Sequence, residues 1–281
     1  MFPVVAAVCV ALWGSRRARL LVAIAAVAQL GAVGWWMQAG RAARDDGLGE
    51  RGGGALGVLQ CNAQTGGATP DEVLALLRQS GAGVVALTEA SGDVLDRLRI
   101  DPEMLLRYPY RDVPPWRLTN TRLILSAWPL EPLLVRADLP AGDPRRALRL
   151  VRVLHEDGPF VVLVLHPQSP RTPARWRRGN ELLEVAIETV RERAPGEPLL
   201  VLADLNSTPT GGRSRRLVSG LGVRRSKPVL VLDGTYPAWL PWPLRAAIDD
   251  VWVSDEWRVA AWRTLEVPGS DHRAVEVELR R

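Results

Sequence analysis

Polar side chains of the types that carry out hydrolysis recur along this sequence where apolar segments end. Two of the three histidines behave in this way, while the third, His155, precedes Glu156-Asp157-Gly158 and is expected in a surface turn. Each such residue alone fits an ordinary capping or surface role, whereas the whole set predicts a site presented by rigid elements. Eight residues end or closely follow an apolar segment: Asn62, Glu89, His166, Asp204, Asn206, Asp249, Asp271 and His272.

Three of these residues could bind a metal ion. Hard cations such as Mg²⁺ take oxygen ligands, with waters and substrate phosphate completing the shell. Glu89 and Asp271 could supply carboxylate oxygens, with Asn62 nearby as an amide oxygen. We therefore predict a site for Mg²⁺ at these three residues.

Four others match the remaining needs of phosphoester hydrolysis, which are a positioned nucleophile and cover for developing charge. Asp204 and Asn206, two positions apart beyond one apolar segment, could hold an attacking water. His272, if held by the carboxylate of Asp249, could donate to the phosphate or transfer a proton. The set predicts metal-assisted hydrolysis of a phosphate ester.

The elements that must position these residues are mostly short strands. One helix is expected to open at Thr69 with a capping box to Glu72, and a longer one at Thr172-Pro173. Two packed sheets with helices outside is the expected α/β architecture. Apolar runs and alternation predict strands over residues 55–62, 83–88, 122–126, 133–136, 147–154, 160–165, 199–203, 248–254, 257–266 and 273–279.

In this order, the motifs resemble those of the endonuclease/exonuclease/phosphatase superfamily, which includes the deoxyribonuclease-like fold. The resemblance extends from about Gly57 to Leu279, and its most specific parts are the Asp-x-Asn motif and the closing Ser-Asp-His motif. Six segments carry it: Leu59-Gln60-Cys61-Asn62, Val85-Ala86-Leu87-Thr88-Glu89, Leu165-His166-Pro167, Leu202-Ala203-Asp204-Leu205-Asn206-Ser207-Thr208-Pro209, Ala247-Ile248-Asp249 and Gly269-Ser270-Asp271-His272-Arg273.

The resemblance implies a four-layer sandwich and cleavage of phosphoester bonds by an activated water at a Mg²⁺ or Mn²⁺ site. It also implies that Asp204 activates the water, that Asn206 positions it, and that His272 and His166 contact the phosphate. One departure is Asp250, which stands where the family usually has histidine, tyrosine or arginine. Asp250 is expected either to repel the charge of Asp249 or to point to solvent.

The N-terminal residues differ from the rest of the chain. Residues 2–13 and 20–40 carry no charge, and the second stretch is long enough to cross a bilayer as a helix. We predict one transmembrane helix or a hairpin within residues 1–40, with a cleaved signal peptide as the alternative. Residues 41–54 are expected to form a flexible linker, and residues 55–281 the catalytic domain. Arg16, Arg17 and Arg19 weakly favour a membrane protein with an extracytoplasmic catalytic domain.

Charge points to phosphate-bearing partners without choosing among them. The formal net charge is +5 at pH 7, and Lys227 is the only lysine. The predicted substrates are nucleic acid, a phospholipid head group or a small phosphodiester, so nuclease, phosphatase and phosphodiesterase action all stay open. Nuclease action would be favoured by arginines near the motifs, namely Arg171, Arg175, Arg177, Arg178, Arg213, Arg215 and Arg216.

Two further alternatives remain at this point. The aromatic stretch at Tyr236, Trp239 and Trp242 could wall the pocket, contact the bilayer, or pack its indoles on the core. The whole domain could also be a non-catalytic, membrane-bound module that binds phosphate or nucleic acid. The presence of Asp204 favours a catalytic domain over such a module, because binding alone does not require a carboxylate that activates water.

Overall fold

The computed structural model describes residues 55–113 and 121–281, and this part of the chain is built on two six-stranded sheets. The first sheet consists of β1 (Leu56–Asn62), β2 (Val84–Ala90), β3 (Tyr110–Asp112), β4 (Thr121–Ser126), β11 (Arg258–Leu265) and β12 (Ala274–Arg280). The second consists of β5 (Leu130–Pro132), β6 (Arg149–Val153), β7 (Phe160–Leu165), β8 (Leu199–Asp204), β9 (Arg224–Arg225) and β10 (Asp249–Val253).

Both sheets are mixed. The strand order is β11-β12-β1-β2-β4-β3 in the first sheet and β5-β6-β7-β8-β10-β9 in the second. In each sheet one central pair is parallel, β1 with β2 and β7 with β8, and the other pairs are antiparallel. The central strands are mostly apolar because both of their faces are covered.

The helices lie on the outer faces. They are α1 (Pro70–Gln79), α2 (Gly92–Ile100), α3 (Pro102–Arg107), α4 (Pro173–Arg193) and α5 (Gly212–Leu221). The predicted capping box of α1 is present, since Thr69 and Glu72 exchange hydrogen bonds. Thr172 caps α4 by accepting from the backbone of Arg175.

Three apolar clusters fill the spaces between four layers. One lies between α1, α2, α3 and the first sheet, and another between α4, α5 and the second sheet. The third joins the two sheets, with Val58 and Val84 from the first packed with Val162 and Leu202 of the second. The predicted α/β fold of two packed mixed sheets flanked by helices is confirmed.

Several local predictions differ from the structure. The strand predicted at residues 133–136 is wrong, because pairing with β6 begins earlier, at Leu130. Pro132 is tolerated there because β5 is an edge strand, where one neighbour is missing. Sequence patterns did not predict α2 and α3, which have nine and six residues, or α5, which has no side-chain N-cap. They also did not predict the edge strands β3 and β9, which contain arginine. Periodicity is a weak signal in elements of this length.

Within the described residues, no helix is long and apolar enough to cross a membrane. The predicted membrane segment, residues 1–40, and the predicted linker, residues 41–54, lie outside the described residues.

Candidate active site

The chemistry-bearing residues meet at one edge of the two sheets because of how the strands run. β1 and β2 are parallel, so Asn62 and Glu89 lie at the same end of the first sheet. β7 and β8 are also parallel, which brings His166, directly after β7, beside Asp204 at the end of β8. β10 runs antiparallel to β8 and begins at this edge, where Asp249 pairs with Asp204.

The chain then returns to this edge before its last strand. β12 is antiparallel to β1, so Asp271 and His272, which precede it, lie near the end of β1. Each of the eight residues predicted from the sequence is within 3.7 Å of another member of the group. Asn62 and Asp249 are buried behind the wall of a cleft of about 420 Å³. The cleft is lined by Gln64, Glu89, His166, Gln168, Ser169, Arg171, Arg175, Arg178, Asp204, Asn206, Tyr236, Asp271 and His272.

A second cleft, of about 430 Å³, lies where α4 and α5 end. Its wall includes Arg191, Glu197 and Asp255 but none of the eight predicted residues. The chemistry of the predicted set therefore belongs to the first cleft.

Asn62 holds two acidic side chains in place. Its amide nitrogen donates to Oε1 of Glu89 at 3.2 Å and to Oδ2 of Asp204 at 3.0 Å. Its Oδ1 accepts from the backbone N–H of Gln64 at 2.9 Å. In this arrangement Asn62 orients the carboxylates, and its role as an oxygen ligand of a metal stays a prediction. Asp204 also accepts from the backbone N–H of Asn206 at 2.8 Å, which fixes the second carboxylate oxygen.

His272 is held by the carboxylate that the sequence predicted for it. Its Nδ1 lies 2.8 Å from Oδ2 of Asp249, and its Nε2 lies 3.7 Å from Oδ1 of Asp271. Burial alone would lower the pKa of His272. The charges of Asp249, Asp204 and Asp271 and the hydrogen bond to Asp249 together outweigh it and raise that pKa to about 10. The imidazole is therefore a cation at neutral pH.

His166 has the opposite character. Its Nε2 lies 3.4 Å from both Oε1 of Glu89 and Oδ2 of Asp204. Burial lowers the pKa of His166 to about 4, against the attraction of Asp204 and with a contribution from the nearby cation Arg122. His166 is therefore neutral at neutral pH, so one cleft contains a charged and an uncharged imidazole.

Two contacts that support the histidine and its aspartate were not predicted from the sequence. Gln60, buried in β1, donates from Nε2 to Oδ1 of Asp249 at 3.3 Å. The signal was available, because a glutamine inside an apolar strand, two positions before Asn62, must find a polar partner. Tyr236 stacks on His272, with ring centroids 4.8 Å apart. No sequence pattern joins these two rings, which are brought together only by the fold.

The loop before β12 is tied to the end of β1. Ser270 Oγ donates to the backbone oxygen of Asn62 at 2.8 Å and accepts from the backbone N–H of His272 at 3.1 Å. The backbone N–H of Asp271 donates to Oε1 of Gln64 at 2.8 Å. These bonds explain why a serine precedes the Asp-His pair: it fixes both residues against β1.

Backbone strain is concentrated in the cleft. In the described part of the chain, the non-glycine residues with positive φ are Gln64 (46°), Glu89 (54°) and Asn206 (48°), and all three line the cleft. Glu89 lies where the pairing of β2 with β4 shifts register between Leu87 and Ala90, a bulge that redirects its side chain. Such conformations cost about 1–3 kcal/mol each and persist where the surroundings impose them.

The acidic side chains fit a divalent cation. Asp204 and Asp249 are buried, and their ion-pairing partners in the described residues are histidines, without lysine or arginine. Burial raises the pKa of Asp204, and the charge of Asp249 raises it further, against the two histidines. A carboxylate oxygen of Asp204 and one of Asp249 lie within 4.8 Å of each other. Glu89 and Asp271 add oxygen donors at the mouth.

Asp250 does not point to solvent, which was one of the two expectations for it. It is buried and accepts from Nε of Arg225 at 2.6 Å, from Oγ of Ser226 at 2.9 Å and from Nε1 of Trp262 at 3.2 Å. Neighbouring residues of a strand point to opposite faces, so Asp250 faces away from Asp249. Its role is to pair with a buried arginine.

The arginines considered for phosphate contacts divide into two groups. Arg171, Arg175 and Arg178 line the cleft. Arg213 is buried and donates to backbone oxygens, while Arg216 pairs with Glu184 on the surface of α4. The other two, Arg177 and Arg215, are not part of the cleft wall. The fold thus reduces seven candidates to three.

The aromatic stretch also divides. Tyr236 lines the cleft, as one alternative expected, but Trp239 and Trp242 are exposed and do not pack on the core. His155 stacks on Trp128 at a ring distance of 4.4 Å and lies outside the cleft.

The model of the Endonuclease/Exonuclease/phosphatase family matches residues 59–272. A crystal structure of an endonuclease/exonuclease/phosphatase from Beutenbergia cavernae superposes with a TM-score of 0.57, at 20% identity over 81% of this chain and 72% of that one. The crystal structure of an endonuclease/exonuclease/phosphatase from Bacteroides vulgatus superposes with a TM-score of 0.58, at 14% identity over 80% of this chain and 98% of that one. The structure of a mannosyl-6-phosphatase from Bacteroides thetaiotaomicron superposes with a TM-score of 0.53, at 15% identity over 80% of this chain and 100% of that one. No curated protein matches significantly.

Proposed function

This chain belongs to the endonuclease/exonuclease/phosphatase family, and we propose that it is a divalent-metal-dependent hydrolase that cleaves phosphate esters with an activated water. The observation that carries this proposal is the buried pair Asp204 and Asp249, which meet at strand ends beside His272 without an arginine or lysine as ion-pairing partner in the described residues. Binding a phosphate would not require buried carboxylates, which repel it.

Each residue has a role that follows from its contacts. Asp204, fixed by Asn62 and by the backbone of Asn206, is the carboxylate that accepts a proton from the attacking water. His272, held as a cation by Asp249, donates a hydrogen bond to a phosphate oxygen and so stabilises developing negative charge.

Asn206 and His166 position the reacting groups. The amide of Asn206 donates to the backbone oxygen of Pro167 at 3.2 Å, which anchors it to the loop after His166. Neutral His166, within 3.4 Å of Asp204, is a hydrogen-bonding contact for the water or the phosphate.

Glu89 and Asp271, with Asn62, are the residues proposed to hold Mg²⁺ or Mn²⁺, and Asp204 and Asp249 are further oxygen donors. The bound ion would neutralise phosphate charge and polarise the ester as a Lewis acid. Glu89 is oriented for this role by the strained backbone that turns it into the cleft.

The substrate is proposed only as a class. Arg171, Arg175 and Arg178 favour a phosphate-rich ligand such as nucleic acid, an anionic head group or a small phosphodiester. A sugar phosphate is a further candidate, because one structural neighbour is a mannosyl-6-phosphatase. We further propose that residues 1–40 tether the domain to a membrane, with the domain on the extracytoplasmic side.

The test is hydrolysis by the purified full chain with Mg²⁺ or Mn²⁺. Substrates would include bis(p-nitrophenyl) phosphate, p-nitrophenyl phosphate, mannose 6-phosphate, plasmid DNA, RNA, phosphoinositide and sphingomyelin. Asp204→Asn and His272→Ala should each lower kcat by about 10²–10⁴-fold. His155→Ala, outside the cleft, is the matched control and should retain full activity.

Activity that survived both substitutions would contradict the mechanism. A wild-type chain that bound these ligands but turned none over would instead indicate the non-catalytic phosphate- or nucleic-acid-binding module. Protease added outside intact cells would separately report on which side of the membrane the domain lies.

A further inference from the structure

The loop that carries Tyr236 continues into a group of exposed apolar side chains. Trp239, Trp242 and Leu244 are 77%, 54% and 55% exposed, and we call these three side chains the aromatic rim. An exposed pair of indoles close together in sequence is unusual for a surface in contact with water alone, and such patches mark contact sites.

The rim lies beside the mouth of the cleft. Tyr236 lines the cleft and stacks on His272. Two positions later, the backbone N–H of Ala238 donates to the backbone oxygen of Asp271 at 2.7 Å, so the loop is bonded directly to a cleft residue. Trp239 is the next residue, and its side chain extends into solvent.

The backbone of this loop is held in place although its side chains are exposed. Tyr236 and Ala246 form a bridge that closes the loop. Arg245 donates from Nε to the backbone oxygen of Leu240 at 2.7 Å and pairs with Asp233 at 3.2 Å. Three prolines, at positions 237, 241 and 243, restrict it further. The exposure of the rim is therefore a property of an ordered loop rather than of a frayed one.

We propose that the aromatic rim docks into the interface of a lipid bilayer and presents the cleft to phosphate esters of the head groups. The inference rests on the proposed phosphoesterase function and deepens it. Indole rings prefer the head-group level of a bilayer. Arg171, Arg175 and Arg178 line the same cleft as Tyr236, which gives the mouth a cationic side for an anionic head group.

The length of chain before the domain suits this arrangement. Residues 41–54 separate the uncharged stretch 20–40 from β1, and fully extended they would reach about 50 Å. With the membrane tether proposed for residues 1–40, the domain can reach the bilayer with any face, and the rim then decides which face does.

The first test measures the contact itself and needs no catalysis. The full chain, with Cys9→Ser, would be reconstituted in vesicles of phosphatidylcholine and phosphatidylglycerol. An environment-sensitive dye would be placed at Trp239→Cys or Trp242→Cys, and at Leu106→Cys as control, because Leu106 is 84% exposed and lies on α3, away from the cleft. Cys61 is buried and burial raises the pKa of its thiol, so it should not react.

The fluorescence emission of the dye at positions 239 and 242 should shift to shorter wavelength and be quenched by lipids that carry a spin label on the acyl chain. The dye at position 106 should keep the emission that it has in water. Equal quenching at all three positions, or none, would overturn the docking. A blue shift without quenching by lipid would also overturn it, since the rim would then contact protein.

The second test asks whether docking serves the cleft. Trp239→Ser combined with Trp242→Ser should lower turnover of a phosphoinositide in the same vesicles by at least about tenfold, in line with the loss of interfacial anchoring. Turnover of soluble bis(p-nitrophenyl) phosphate should be unchanged, as it should be for both substrates in Leu106→Ser. Equal losses on both substrates would overturn the link between rim and substrate. If the wild-type chain hydrolysed neither substrate, the proposed phosphoesterase function would be wrong, whether or not the dye shows contact with lipid.

Discussion

Nδ1 of His272 lies 2.8 Å from Oδ2 of Asp249, although Asp249 begins a strand of one sheet and His272 precedes a strand of the other. The contact exists because β10 begins, and the chain enters β12, at the same edge. Asp249 is itself held at Oδ1 by Gln60, and its backbone N–H donates to Oγ1 of Thr235 at 3.2 Å. The pair is thus fixed from both sides, and it gives the site a buried cation.

The first prediction concerns the pH dependence of stability. The pKa of His272 rises from 6.5 to about 10 on folding. A raised folded pKa contributes stability that is complete below the unfolded value and is lost as pH rises through the folded one. The free energy of unfolding should therefore fall between about pH 6.5 and pH 10 in the metal-free wild type, as measured by urea denaturation.

Asp249→Asn should flatten this dependence, because it removes the negative charge that contributes most to raising the pKa of His272. An NMR titration of the imidazole would show the lower pKa directly. Glu156→Gln, which removes one carboxylate from an exposed turn, is the charge-matched control and should behave like the wild type. An unchanged titration in Asp249→Asn would contradict the assignment.

The second prediction separates stability from function at Glu89. Its φ of 54° is unfavourable for any residue with a side chain, and glycine relieves that strain. When both proteins are kept metal-free with a chelator, Glu89→Gly should have a free energy of unfolding about 1–3 kcal/mol higher than the wild type. Assayed with metal, the same variant should have no activity.

Glu89→Gln is the comparison, since it also removes the charge but keeps the strained backbone. It should lose activity with a smaller gain in stability. Denaturant titration of the two variants would measure both gains, and equal gains over the wild type would show that loss of charge, and not relief of backbone strain, stabilises the protein.

The third prediction concerns the buried ion pair behind the site. Asp250→Ala leaves Arg225 buried without its carboxylate, which should cost about 3–5 kcal/mol in the free energy of unfolding. Activity per folded molecule should be retained, because Asp250 does not line the cleft. Urea denaturation and active-site titration would give the two quantities.

Replacing both partners, as Arg225→Met with Asp250→Leu, should recover much of the lost stability. Asp255→Ala, whose carboxylate is 89% exposed, is the control and should change little despite its contact with Arg224. If Asp250→Ala were no less stable than this control, the buried pair would not have the role given to it.

The fourth prediction concerns metal binding. A cation that binds only the folded state stabilises it by mass action, by about 2.7 kcal/mol at one hundred times its Kd. Mg²⁺ or Mn²⁺ should therefore raise the Tm of the wild type, measured by calorimetry. The rise should shrink or vanish in Asp271→Asn and Glu89→Gln but persist in Glu156→Gln. A rise of the same size in all four proteins would place the ion elsewhere.

The sequence by itself determined the types of residues at the site, because each stands where an apolar segment ends. Asn62, Asp204 and His272 can be selected from the chain alone, since strand-length apolar runs and the order of the motifs are visible in it. The two-sheet architecture follows in the same way, from periodicity that depends only on neighbouring residues.

Tertiary structure decided what depends on contacts between distant parts of the chain. It turned Asp250 away from the cleft, selected Arg171, Arg175 and Arg178 from seven arginines, and stacked Tyr236 on His272. It also separated the two histidines by charge, since burial lowers the pKa of His166 to about 4 while three aspartates raise that of His272 to about 10. Local sequence carries no record of burial or of through-space charge, and these set the chemistry of the site.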